Sequence, residues 1–257
     1  SALEAAGALL TRNRQRREVD QSTAEQARRR VEGDPALASR RSIVVFDPQW
    51  HKGIIGIAAS RLVEYFHRPT VVLTQSQGRA VGSARSVPGF DLHVALSRCD
   101  DLFSSFGGHA FAAGIQLPLE KVAEFAERFE AVVQETLPET ALQPELEIAG
   151  TLPFTDITLQ FWRILRQFAP FGPGNMTPVF QALNVRDTGR SRVLEGNHVR
   201  LSVRQAAGPV FTGIGFGLGE AFSKVQGGAF NLAFSLFEDD WQSARTLALQ
   251  VRDIQPV

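Results

Sequence analysis

The chain changes rhythm twice. Residues 3–32 run without a proline through Ala, Leu, Arg, Gln and Glu, which lose little on entering a helix. The apolar stripe there is thin, which predicts a helix that joins two bodies or packs along one side only. Arg28, Arg29 and Arg30 fall in its last turn, Gly33 suits a left-handed cap and Pro35 follows, together predicting the stop. Such a helix reaches about 45 Å. From residue 42 apolar runs of strand length alternate with helical spacing. SIVVFD reads as a buried strand, and GIIGIAASRLVEYF as a helix starting near Gly53 with Ile54, Ile57, Ala58, Leu62 and Phe66 on one side. TVVLT and RAVGSARS read as strands, DLHVALSRCDDLFSSF as a helix, AAGIQL as a strand, and LEKVAEFAERFEAVVQETL as an amphipathic helix. This alternation predicts an α/β sheet domain with helices packed on it.

A polar, proline-bearing linker, LPETALQPELE, precedes the second change. Short strand-like runs then dominate: LEIAGTL, PVFQALNVRD, NHVRLSVRQ, PVFTGIGFG, GAFNLAFSLFED and ARTLALQVRDI, interrupted by helices near TLQFWRILRQF and GEAFSKV. Five or six such strands predict a small closed all-β barrel, with the OB-fold as the best match. Trp241 and Phe211, Phe216, Phe230, Phe234 and Phe237 read as its core. The expected organisation is a connector helix over 1–41, an α/β domain over 42–138 and an OB-fold over 139–257.

Composition changes this picture only at the margins. The 27 Lys and Arg balance 27 Asp and Glu, so a polyanion site has to be a local patch. The single cysteine, Cys99, excludes an intramolecular disulfide and a cysteine-based zinc site. No apolar run approaches the roughly 18 residues of a membrane span and no leader opens the chain, so it reads as soluble and cytoplasmic, with no membrane partner; a monomer is expected. The only methionine is Met176, which predicts a piece of a longer protein.

Three segments carry candidate chemistry. In WHKGIIGIAASR, His51 precedes a helix start where free N–H groups favour an anion, and Gly53 and Gly56 allow close approach. In VGSARS, Ser83 and Arg85 share one side of a strand, a hydroxyl beside a guanidinium fork that suits phosphate, with Ser86 following. In FGGHAFAAG, Gly107 and Gly108 can turn N–H groups toward a ligand, His109 can donate to a phosphate or base edge, and Ala112, Ala113 and Gly114 leave open space. Each segment equally suits a structural turn; their common position at strand or loop ends of one sheet favours binding. In the barrel region, His198, Arg200, Ser202 and Arg204 alternate with Val199, Leu201 and Val203, giving a basic outer face to which Arg186, Arg190 and Arg192 add. Phosphoesterase metal chemistry needs clustered carboxylates and histidines. Asp47, Asp91, Asp100 and Asp101 lack that spacing, and no Gly-x-Ser-x-Gly, P-loop or dinucleotide motif is present. The residues alone describe a phosphate or nucleic-acid binder without its own catalytic metal.

HKGIIGIAASRL, GSARSVPGFDLHVAL and FGGHAFAAGIQL resemble the DHH-associated domain of the RecJ family, the bacterial single-stranded-DNA-specific 5′→3′ exonucleases of the DHH phosphoesterase superfamily. FAPFGPGN with PVF, and LALQVRDIQP, resemble the OB-fold domain that follows in that family, and the opening helix is similar to the one that leads from its DHH core. The resemblance implies that Ser83 and Arg85 hold a 5′-terminal phosphate. It also implies that Gly107, Gly108 and His109 face a metal site near the scissile phosphate, with His109 the catalytic candidate. The OB-fold would grip the single strand, and Mn2+ or Mg2+ would sit in a DHH core that this chain lacks, so the chain alone is expected to be inactive. Single-stranded DNA is the implied ligand in DNA repair and recombination, with a single-stranded-DNA-binding protein a candidate protein partner. Two alternatives stay open: a non-catalytic module for protein partners, and part of a small-nucleotide DHH phosphodiesterase.

Overall fold

The structure, a computed structural model, describes Gly7, residues 20–239 and residues 246–257. Most of the first half of the expected opening helix, and Trp241, lie outside the described residues. The chain divides into two compact units, Ser1–Pro144 and Glu145–Val257.

Helix α1 covers residues 20–32 of the first unit. It packs along one side: Ala24, Ala27 and Val31 are buried, while Arg28, Arg29 and Arg30 face solvent or carboxylates. Gly33 closes it with an N–H bond to the Arg29 carbonyl at 2.9 Å. Its φ is not left-handed, so the expected cap conformation is not the one used. Asp34 then caps the single turn α2 (Pro35–Ala38) by accepting from Ala36 and Leu37 N–H.

The strands of this unit are β1 (Ile43–Phe46), β2 (Thr70–Ser76), β3 (Arg79–Arg85), β4 (Ser105–His109) and β5 (Ala112–Pro118), in the order β1-β2-β3-β5-β4. Only β1 and β2 run parallel. The helices are α3 (Ile55–Phe66), α4 (Leu92–Ser97) and α5 (Val122–Thr136). One face of the sheet lies under α4 and α5, with Leu73, Ala84, Ile115 and Leu117 packed on Leu92, Leu96, Phe125 and Phe129. The opposite face presents Ile43, Val45 and Val72 to Ala27, Val31, Ile55, Ala58 and Leu62 of α1 and α3. Each such large side chain contributes about 1.5–3 kcal/mol on burial. Helix α3 packs on β2 and β3, and within this unit Gly107, His109 and Gly114 on the same face of β4 and β5 are exposed.

Two sequence expectations change here. The helix expected over DLHVALSRCDDLFSSF ends at Ser97, and a 3-10 turn at Asp100–Leu102 follows. The chain is extended again from Ser105. Gly107, Gly108 and His109 therefore belong to edge strand β4, and the turn of the hairpin is Ala110-Phe111. Helix α3 begins at Ile55, two residues after Gly53.

The second unit holds β6 (Gly150–Thr151), β7 (Phe180–Asp187), β8 (Arg192–Leu194), β9 (His198–Gln205), β10 (Val210–Gly215), β11 (Ala229–Asp239) and β12 (Thr246–Pro256). Helices α6 (Leu159–Leu165) and α7 (Phe222–Gln226) accompany them. The sheet order is β6-β7-β11-β12-β10-β9-β8, with a further pairing of β7 on β9. That pairing spans only Val185↔Gln205, Arg186↔Arg204 and Asp187↔Val203, because β8 takes the other end of β9 from Arg200 to His198. The expected closed barrel is thus a curled sheet with a short seam, the partly open form of an OB-fold. Phe154, Phe230, Phe234, Leu232, Val199, Leu201 and Val203 fill it. Phe216, expected in the core, is 56% exposed.

Candidate nucleic-acid interface

The polar site in the first unit is built where α3 crosses the end of β3. Residues facing each other across antiparallel strands share a side of the sheet. The register therefore places Ser83, Gly114 and Gly107 in one row, and Arg85, Ala112 and His109 in the next. Strands lie about 4.8 Å apart, so Arg85 and His109 bracket a glycine and alanine floor about 10 Å wide. A Cβ on Gly107 would meet nothing within 4 Å, and one on Gly114 would only reach the Gly82 carbonyl at 4.0 Å. Gly108 is different. At φ 155° its Cβ would stand 2.3 Å from the Ala112 carbonyl oxygen, so glycine is required there by the hairpin itself.

Arg85 and Ser83 form one donor group. The guanidinium donates to the Ser83 hydroxyl at 2.9 Å, to the Ala84 carbonyl at 2.8 Å and to the Ser60 hydroxyl at 3.2 Å. Among the described residues no carboxylate pairs with Arg85, although it is half-buried. Several other arginines of this unit are spent. Arg28 and Arg29 hold Glu25, whose carboxyl is drawn down to about 2 by the hydrogen bond from Arg28 and then that from Arg29; Arg30 holds Asp47 and Arg61 holds Asp20. An unneutralised, half-buried guanidinium beside a hydroxyl is a ready anion site. No side chain caps the start of α3 at Ile54, next to Gly56, which adds N–H groups and the positive end of the helix dipole. Gly56 costs about 1 kcal/mol in a helix relative to alanine. Its Cβ would stand 3.0 Å from Arg85 Nη2 and 3.1 Å from Ser83 Oγ, so the close approach explains the glycine.

The remaining candidates are placed less uniformly. His51, His109 and His198 share one device: each Nδ1 accepts a backbone N–H, from Gly53 at 3.1 Å, Phe111 at 3.2 Å and Gly217 at 3.0 Å. The neutral ring then carries its proton on Nε2, facing away from the protein's own bond. His51 hydrogen-bonds within its own loop and is not among the hydrogen-bond partners of Arg85. The Ser86 hydroxyl is occupied by the Phe90 carbonyl at 2.7 Å, inside the turn to α4. Asp91 caps α4 through Val94 N–H at 3.0 Å, in keeping with a helix start. Cys99 is buried, and burial pushes its thiol up to about 11, which removes it as a nucleophile.

In the second unit, Arg186 faces Arg204 and Arg192 faces Arg200 directly across strand pairs. All four are exposed, and none has an ion-pair partner among the described residues. Opposed like charges are destabilising by a few tenths to about 1 kcal/mol, roughly the size that a bound phosphate would reverse. Arg190 is exposed in the neighbouring turn, and His198 packs edge-on to Phe216 at 5.2 Å. Beside Arg200 a groove of about 710 Å³ runs over Thr212, Ile214, Phe216, Phe237, Asp239, Ala248 and Gln250.

Sequence reading missed Ser60, Phe111 and this groove. Ser60 lies four residues after Gly56, hence on the same helix face, and that spacing was its only signal. Phe111 is 65% exposed at the hairpin tip against His109, and nothing local in the sequence sets it apart from the other phenylalanines. Among the described residues no group of three or more His, Cys, Asp or Glu could hold a metal ion, and no helix is long and apolar enough to cross a membrane. The donor set of a divalent-metal site therefore does not fit the residues described.

Two family descriptions match the chain: the DHHA1 domain over residues 40–135 and the RecJ OB domain over residues 148–253. The single-stranded-DNA-specific exonuclease RecJ of Escherichia coli is 32% identical over 227 residues, covering 84% of this chain and 38% of that protein. Its Bacillus subtilis counterpart is 32% identical over 220 residues, covering 82% and 27%. The crystal structure of RecJ from Thermus thermophilus in complex with Mg2+ superposes with a TM-score of 0.78 at 25% identity, covering 98% of this chain and 37% of that one. A second structure of the same protein is in complex with Mn2+. The chain thus spans well under half the length of the relatives it matches. Over that stretch it consists of a DHHA1 domain followed by a RecJ OB domain, and it belongs to the RecJ family.

Proposed function

We propose that this chain is the substrate-binding portion of a RecJ-type single-stranded-DNA-specific 5′→3′ exonuclease, and that single-stranded DNA is its ligand. The observation that carries the reading is the Ser83–Arg85 group: a half-buried guanidinium with no carboxylate partner among the described residues, beside the Ser83 hydroxyl, opening onto a floor of glycine and alanine. The 5′-terminal phosphate sits on Ser83 and Arg85. The first nucleotide lies over Gly107 and Gly114, and the Nε2–H of His109 donates to the next phosphate, where it stabilises the charge that develops as the bond is cut. Gly108 shapes this wall without touching the strand, while His51 lines the entrance and Ser86 braces the turn. Downstream nucleotides run over the OB domain, with phosphates on Arg186, Arg192, Arg200 and Arg204, His198 alongside, and a base against Phe216.

Hydrolysis by this class uses metal-activated water. The Mn2+ or Mg2+ ligands would lie in a DHH core outside this chain, so this portion binds strand without cutting it, and the complete enzyme would act as a monomer in DNA repair and recombination. Titration with single-stranded and duplex oligonucleotides of equal length tests the reading. Tighter binding of the single strand is expected, weakening steeply with salt; equal affinity for both would overturn it.

A further inference from the structure

Arg85 has five N–H donors to place. Nη1 gives two, to the Ser83 hydroxyl at 2.9 Å and the Ala84 carbonyl at 2.8 Å, and Nε gives one to the Ser60 hydroxyl at 3.2 Å. Ser60 is itself tied to α3, donating to the Gly56 carbonyl at 3.2 Å. The two donors on Nη2 have no acceptor among the described residues. They lie over Gly56, where a Cβ would stand 3.0 Å from Nη2 and 3.1 Å from Ser83 Oγ.

We propose that Ser60 and Gly56 are positioning residues of this site. Ser60 locks the guanidinium through Nε, which fixes Nη2 as the unspent edge, and Gly56 keeps that edge and the Ser83 hydroxyl uncovered together. One oxyanion of a terminal phosphate then meets both. A freely rotating arginine would spread its donors over solvent and lose the distinction between a phosphorylated and a hydroxyl end. The inference rests on the phosphate reading of Ser83 and Arg85, and adds to it the residues that set the selectivity.

The test is titration of the 257-residue chain with a 3′-labelled oligothymidylate carrying either a 5′-phosphate or a 5′-hydroxyl. Ser60→Ala, Ser60→Thr, Gly56→Ala and Arg85→Ala are compared with the unaltered chain. Preference for the phosphorylated end is expected to fall by on the order of tenfold in Ser60→Ala and Gly56→Ala, with affinity for the hydroxyl end unchanged. Ser60→Thr, which keeps the hydroxyl, is expected to retain the preference. In Ser60→Ala the Nε–H resonance of Arg85 should also lose its protection from solvent exchange while the melting temperature holds. If Gly56→Ala does not fold, the Ser60 pair decides the matter. Full preference in Ser60→Ala, with preference lost in Arg85→Ala, overturns the positioning role and leaves the phosphate reading standing. An unaltered chain that binds both ends equally overturns the phosphate reading, and this inference with it.

Discussion

A single buried carboxylate shows how this chain ties its N-terminal loop to its sheet domain. Glu130 on α5 is 5% exposed and accepts four hydrogen bonds: from Arg41 N–H at 2.9 Å, Ser42 N–H at 2.8 Å, the Ser42 hydroxyl at 2.5 Å and the Gln134 amide at 2.7 Å. Burial, the largest single influence, pushes its carboxyl up, but the hydrogen bonds, Ser42's hydroxyl first, together hold it below the ordinary value. A lowered folded pKa means that this stabilisation is complete above the unfolded glutamate value and drains away as pH falls through the folded one. Glu130→Gln is therefore expected to lose about 2 kcal/mol at neutral pH. The gap between the two proteins should close in acid, below the ordinary glutamate value of about 4.3. Urea unfolding of both proteins across that range checks it, and a gap independent of pH would refute the assignment. Little in the sequence marks Glu130 apart from the other acids of its helix, because three of its four hydrogen bonds come from Arg41 and Ser42, 89 and 88 positions away.

Among the elements, the β4–β5 hairpin separates two uses of glycine. Gly108 is needed by the backbone, since its Cβ would sit 2.3 Å from the Ala112 carbonyl, whereas Gly107 faces open space. Gly108→Ala is expected to cost several kcal/mol, by the strain of a forced contact, and to expose the amides of β4 to hydrogen exchange. Gly107→Ala should melt like the unaltered chain yet bind single-stranded DNA several-fold more weakly, because its methyl group occupies the floor across Gly114 from Ser83. Equal binding by Gly107→Ala would remove that floor from the interface. The hairpin also shows where the sequence stopped being legible. Strands of Val, Ile and Leu such as β1 and β2 announce themselves, but Ser-Phe-Gly-Gly-His has poor strand propensity and is held extended only by its neighbour β5. Strand β8, three residues long, is likewise invisible without β9. Ser83, Arg85 and His109 could be picked out because their chemistry is local. Ser60 could not, because its role depends on α3 settling 25 residues away from Arg85 against β3.

For the whole molecule, a formal net charge of zero means that binding to a polyanion has to come from arginines left without partners, not from the overall field. The basic run at Arg28–Arg30 is neutralised by Glu25, Glu32 and Asp47, so these three arginines contribute little. The four strand arginines of the OB domain are the reverse: two like-charged pairs, Arg186 with Arg204 and Arg192 with Arg200, kept at a cost to the fold. If each takes one phosphate, the four together should contribute about −3 to the slope of the logarithm of affinity for single-stranded DNA against the logarithm of salt, beyond the share of the phosphates on Arg85 and His109. Reversing Arg200 and Arg204 to glutamate should halve that contribution, to about −1.4. The same change turns both pairs into opposite charges and should stabilise the second unit by a few tenths to about 1 kcal/mol per pair. Anisotropy titrations over about 50–200 mM salt, with urea melts of the same proteins, read both effects. A variant that binds less and folds better identifies these arginines as held for a ligand; an unchanged slope, or a loss of stability, would mean that they serve the fold instead.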